Sequence, residues 1–97
     1  MASYKLSALA EEDLRHISAR TIADWGMHQA EKYVVLLHEA MLRIAATPNM
    51  GKNRPELFKN AKSFPVQKHI VYYWPVDDGI EVARILHQRM DVDAVFE

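Results

Sequence analysis

The clearest pattern of apolar and polar positions lies in the first half of the chain. Ala30, Tyr33, Val34, Leu37, Met41 and Ile44 recur at steps of one helical turn, which lines them along one face of an α-helix. Thr47-Pro48 and then Gly51 stop that helix, because the residue before a proline is pushed out of the helical region. An earlier stripe, Ala10, Leu14, Ile17 and Thr21, predicts another helix. Ser7 is placed to cap it with its hydroxyl. Glu11, Glu12 and Asp13 follow in its early part, where acids complement the helix dipole. This helix runs to about Trp25, and Gly26 ends it. A connection of about two to four residues makes the two helices antiparallel neighbours, a hairpin with a shared apolar groove.

Alternation takes over elsewhere. Tyr4-Lys5-Leu6 reads as a short opening strand, and Ser63 to Val66 as another, confined by Pro65 to an edge or a bulge. Lys68 to Trp74, rich in Ile, Val and Tyr, predicts a strand that Pro75 ends. Val76 to Gly79 forms a turn, with Asp78-Gly79 suited to a tight hairpin. Ile80 to Leu86 is the last strand. Pro48 to Ala61 is loop chemistry anchored by Leu57 and Phe58, and Val92 to Phe96 is a helical turn or a tail. The expected fold is therefore α+β, in the order β-α-α-β-β-β: a small antiparallel sheet with an N-terminal helical hairpin on one face. The opposite face is left to water or to a partner. Its candidates are Tyr72 or Tyr73, Trp74, Arg84 or His87, according to register.

Composition narrows the possibilities. Ninety-seven residues with 49% apolar content make one domain, residues 1–97, able to bury roughly 65% of its unfolded surface. No cysteine is present, which removes disulfides and thiolate metal sites and suits a reducing cytoplasm. No stretch approaches a membrane span, and the N-terminus carries no signal-peptide pattern. The net charge of −1 counts against a domain that lives by neutralising phosphates. The basic residues Lys52, Arg54, Lys59, Lys62 and Lys68 nevertheless gather in one stretch, either as a phosphate-facing patch or as a solvated loop. The tail carries Asp91, Asp93 and Glu97.

Candidate chemistry gathers at the last strand. Arg84 shares a strand face, by period two, with Ile80, Val82 and Leu86. A guanidinium there needs a partner: a phosphate, an acid such as Glu81, or the ring of Tyr73. His87 has an intrinsic pKa near neutrality and suits either a catalytic base or a strand-end hydrogen bond. The five histidines form no HxxxH or HExxH spacing, so no metal or other cofactor is expected. Neither a phosphate-binding glycine loop nor a GxSxG motif occurs.

These residues resemble a known family. Tyr4-Lys5-Leu6-Ser7 with Ala10, Asp13-Leu14 and Ile17, then Trp25-Gly26 with Gln29-Ala30 and Tyr33, come in family order. Pro48 with Gly51, His69 with Val71 and Tyr73, and the closing Arg84-Ile85-Leu86-His87-Gln88-Arg89-Met90-Asp91 complete the set. The chain resembles ParE-type toxins of the RelE/ParE superfamily, the toxin half of type II toxin–antitoxin (plasmid stabilisation) pairs. The resemblance implies a cytoplasmic, non-enzymatic inhibitor of DNA gyrase, neutralised in a hetero-oligomer by a ParD-like antitoxin, with no sequence-specific nucleic-acid binding. It implies target or antitoxin contacts at Lys62, Lys68, Tyr73, Arg84, His87, Arg89 and Met90. The alternatives are a ribosome-dependent messenger-RNA endoribonuclease of the RelE branch, acting through Arg84, His87 and Lys62, and a non-toxic antitoxin-binding decoy. Lys62 and Lys68 depart from the family, which often has an arginine and a small residue there.

Overall fold

The computed structural model describes residues 2–96; Glu97, the last of the tail acids, lies outside them. Strand β1 (Ser3–Leu6) leads into helix α1 (Ala8–Trp25) and helix α2 (Met27–Ala46). After a 3₁₀ turn at Pro48–Met50 come β2 (Lys52–Asn53), β3 (Lys62–Val66), β4 (His69–Val76), β5 (Gly79–His87) and the single helical turn α3 (Val92–Val95). The sheet order is β1-β5-β4-β3-β2. The pairings β2–β3, β3–β4 and β4–β5 are antiparallel, as expected, whereas β1 pairs with β5 in parallel. The sheet is thus mixed, because the first and last strands of the chain meet side by side. The β2 edge, two residues inside the loop segment, is too short to leave a period-two signal.

The helical hairpin forms for the reasons its sequence suggests. Ser7 Oγ accepts from the Ala10 amide at 3.0 Å and caps α1. A single residue, Gly26, separates the helices; its φ of +93° lies in the region that glycine enters without steric cost. One face of α2 is buried through Ala30, Leu37, Ala40, Met41 and Ile44. Leu37, Ala40, Met41 and Ile44 pack with Ala10 against Val71, Tyr73, Ile80, Val82 and Ile85 of the sheet, with Leu14 and Ile17 partly buried at the margin.

The proline expectations divide. Pro65 lies in β3 past the two residues that β2 pairs, at a free edge. Pro75 does not end its strand: β4 runs on to Val76, past the end of β3, where one side of β4 is already unpaired.

The second face of the sheet is not open. Leu57 and Ala61 from the loop pack on Tyr72 and Leu86, with Phe58, Ile70, Val92, Val95 and Phe96 around them. The Phe96 ring lies 5.5 Å from that of Tyr72 and 5.2 Å from Phe58, and Phe58 lies 5.8 Å from Trp74, all between centroids. The loop and the C-terminal turn therefore build a second small core, and the expectation of a free face bearing Tyr72 and Trp74 is corrected. Short apolar clusters in irregular segments leave no periodicity to reveal where they fold back.

Tyr73 is corrected as a contact residue. It is fully buried under the helices. Its hydroxyl donates to the Pro48 carbonyl at 2.7 Å and accepts from the Gly51 amide at 3.0 Å, fixing the chain that leaves α2. A Cβ on Gly51 would collide with that hydroxyl, so the close approach requires glycine. Tyr73→Phe leaves a half-buried carbonyl and amide without their partner and is expected to cost about 1–3 kcal/mol. Urea denaturation measures this directly, and an unchanged midpoint would show that the hydroxyl is dispensable.

Candidate functional site

The candidate site grows from an irregularity in β5. Tyr72 pairs with Arg84 but Tyr73 pairs with Val82, so Ala83 is an extra residue in the strand. The bulge overturns the expectation that Ile80, Val82, Arg84 and Leu86 share a face. Ile80, Val82 and Ile85 enter the core under the helices, and Leu86 joins the second core. No period-two reading detects one added residue.

Arg84 finds its partner in α1. Its Nε and Nη2 donate to the two oxygens of Asp13, each at 2.8 Å, and the Ile85 amide donates to Asp13 at 3.0 Å. The side chains are 21% and 11% exposed, respectively, so this bidentate pair is well shielded from water. Neither Glu81 nor the Tyr73 ring is the partner, and the fork is not free to grip a phosphate. Asp13, which the sequence marks as an early helical acid and as part of a family motif but not as the partner of Arg84, sets the geometry here.

Beyond this pair lies an open groove of about 960 Å³ between the Trp25 end of the hairpin and the His87 end of the sheet. Ile17, Trp25 and Leu36 supply apolar wall, and Lys68, His69, His87 and Met90 line the sheet side. Trp25 is 71% exposed and Met90 49%. Both are large apolar groups at the mouth of a concavity, a common feature of recognition surfaces. The His69 and His87 rings stand edge to face, 5.4 Å between centroids. The Tyr33 hydroxyl shares a 2.6 Å hydrogen bond with His69 Nδ1, and the Arg89 amide donates to His87 Nδ1 at 3.1 Å. Burial lowers the His69 pKa below its ordinary value, and the His87 and Lys68 charges act in the same direction. Burial raises the Tyr33 pKa, partly opposed by the Lys68 backbone amide.

Of the seven residues singled out in the sequence, three meet here: Lys68, His87 and Met90. Lys62 is elsewhere. It bonds Asn53 at 2.5 Å and pairs with Tyr73, four residues along β4 from His69, or roughly 13 Å at strand rise. Arg89 is exposed and meets the groove only through its backbone bond to His87. Tyr33 belongs to the site but reads in sequence as helix stripe, since its aromatic body is partly buried against the core while its hydroxyl reaches His69. Among the described residues no cluster of three or more metal-ligating side chains occurs, and no helix is long and apolar enough to cross a membrane.

Two outcomes follow from this geometry. Asp13→Ala strands Arg84 and the Ile85 amide together and is expected to cost about 3 kcal/mol; a loss within about 0.5 kcal/mol, the usual range for a surface substitution, would mean the pair is ornamental. His69 has a lowered pKa in the fold, so the unfolded chain binds its proton more readily. Stability is therefore complete above about pH 6.5 and is lost as pH falls through that value towards the folded one. His69→Gln should flatten the dependence of the urea midpoint on pH between about 7 and 5; an unaltered slope excludes His69 as a source.

Comparison with known proteins places this architecture among relatives. A family model described as the ParE toxin of the type II toxin–antitoxin system, parDE, matches residues 4–92. The chain is similar to a toxin named ParE1 from Mycobacterium tuberculosis, 38% identical over 91 residues covering 93% of each chain. It is 36% identical over 93 residues to a toxin named ParE from Escherichia coli, covering 95% of this chain and 90% of the relative. A toxin named ParE1 from Caulobacter vibrioides is 33% identical over 94 residues, 97% of each. A solved structure described as the chromosomal ParDE TA system from P. aeruginosa has a similar fold, with a TM-score of 0.75 over 90% of this chain and 96% of that chain at 21% identity.

Proposed function

The chain belongs to the ParE toxin family of type II toxin–antitoxin systems, and from that premise we propose that it is a non-enzymatic inhibitor of DNA gyrase, neutralised in the cytoplasm by a ParD-like antitoxin. The observation that carries this reading is the family match across residues 4–92, nearly the whole chain, which acts as one toxin domain. A segment of the antitoxin lies in the groove between hairpin and sheet as an amphipathic helix, with its apolar side towards Ile17, Leu36 and Trp25. The part of β3 beyond Ser63, which β2 leaves unpaired, accepts an added strand.

Support against a ribonuclease comes from dispersal. The three groups such an enzyme would draw on do not converge: Lys62 bonds Asn53 at the other end of β3, and both oxygens of Asp13 occupy Arg84. His87 alone faces the groove. General acid–base chemistry needs its groups within hydrogen-bond reach of one reacting centre, and these three do not share one.

The test uses the purified protein with gyrase and supercoiled DNA in one reaction, and with a translating ribosome system in another. Trapped cleaved DNA or lost supercoiling with intact message is the expected result. Cut message with unaffected gyrase would assign the protein to ribonuclease chemistry instead. Silence in both, together with tight antitoxin binding, would make it a decoy.

A further inference from the structure

The groove carries two imidazoles that the chain uses only on one side. A backbone amide can only donate, so the Arg89 N–H at 3.1 Å makes His87 Nδ1 an acceptor. The proton of the neutral ring then sits on Nε2. The Nδ1 of His69 is likewise occupied, by the Tyr33 hydroxyl at 2.6 Å. Neither Nε2 makes a side-chain hydrogen bond among the described residues. The rings stand 5.4 Å apart at a groove, with their Nδ1 atoms committed to the protein. That arrangement leaves two ring nitrogens for something that arrives.

The charges around them favour an anion. The acids of the groove are engaged: Asp13 bonds Arg84 and Asp24 bonds Arg20. Lys32 and Lys68 line the same groove and form no salt bridge among the described residues. The uncompensated charge in this concavity is therefore positive, although the chain as a whole carries −1. Because the remaining wall is apolar, an acidic residue on an amphipathic peptide fits better than a free anion or a polyphosphate chain.

We propose that the His69–His87 pair, flanked by Lys68, anchors one carboxylate side chain of the antitoxin segment in the groove, and that seating this carboxylate takes up a proton from solvent. The inference rests on the antitoxin reading above and adds the chemistry of the contact. His87 Nε2–H donates to the carboxylate. In the free protein burial, helped by neighbouring charge, lowers the His69 pKa; beside the new negative charge the ring becomes an imidazolium, because an adjacent anion favours the protonated form. Besides the ion pairs Asp13–Arg84 and Asp24–Arg20, the charged and titratable groups that line the groove with the pair are Tyr33 and Lys32 from α2, His16 from α1, and Lys68 from the turn between β3 and β4. Of these only His16 is also an imidazole, and it provides the control.

The experiment is calorimetric titration of the full-length toxin with the antitoxin encoded beside its gene, at pH 8 and pH 6, in buffers of different ionisation enthalpy. The complex is expected to be about tenfold tighter at pH 6, with up to one proton taken up per complex. His69→Gln and His87→Gln should abolish the tightening, and His16→Gln should retain it. Lys68→Ala should weaken binding at both pH values. One acid-to-amide change in the antitoxin should weaken binding to the parent toxin but add nothing to His87→Gln. If His69→Gln does not fold, the half-buried His87 and the exposed Lys68 still decide the matter. Binding that ignores pH and survives His87→Gln overturns the anchor while leaving the antitoxin partnership intact. Absence of binding by a folded toxin overturns both. A short single-stranded RNA that shifts the histidine resonances when the antitoxin does not would give the pair to nucleic acid and refute the proposal.

Discussion

The structure depends on how the open edge of β5 is closed. β1 ends at Leu6, opposite Val82, whereas β5 continues to His87. Past that point the backbone of the last strand would face no neighbour, and buried backbone groups without partners are costly. The start of α1 takes over the role of the missing strand. Ser7 donates its amide to the Val82 carbonyl at 3.0 Å and its hydroxyl to the bulged Ala83 carbonyl at 2.7 Å. One and a half turns later Asp13 receives the Ile85 amide and both arms of Arg84. A helix is thereby tied edge-on to a sheet through side chains, and the hairpin it begins cannot shift without breaking these bonds.

That closure sets the site. Because Ala83 is bulged, Ile85 turns inward and His87 comes to stand beside His69 at the end of β4. Without the added residue the period-two alternation would carry His87 to the other face. The hairpin, pinned near Asp13, packs on the sheet through its Ala10 and Ala40–Ala45 portions. Towards Trp25 and Met27, both exposed, the hairpin runs past the end of the sheet and leaves the groove.

The distribution of polar groups is consistent with a binding surface. Cations that look available in sequence, Arg84, Arg54 and Lys62, are committed within the protein: Arg84 to Asp13, Arg54 to Glu56 at 2.7 Å and over the Tyr72 ring at 5.9 Å, and Lys62 to Asn53. In the groove Arg20 bonds Asp24, but Lys32 and Lys68 form no salt bridge among the described residues. A chain of near-zero net charge can present a locally positive concavity in this way, since Coulomb interactions are screened beyond about 10 Å and a partner senses only the nearest charges.

The sequence by itself determined the elements whose causes are local. The α2 stripe, the Ser7 cap, the break at Gly26, the Pro65 edge and the Asp78-Gly79 turn each follow from neighbours a few residues away. From them the helical hairpin on one sheet face was legible, and of the contact residues expected from the sequence Lys68, His87 and Met90 line the groove. Only the tertiary structure decided what depends on contacts between distant residues: the parallel pairing of the first and last strands, the second core under Tyr72 and Leu86, the bulge at Ala83 and the choice of Asp13 for Arg84. Asp13 and Arg84 stand 71 positions apart, and no periodicity connects residues at that separation. The burial of Tyr73 and the meeting of Tyr33, His69 and His87 are settled by how the elements pack, because a strand residue changes face with a single inserted position.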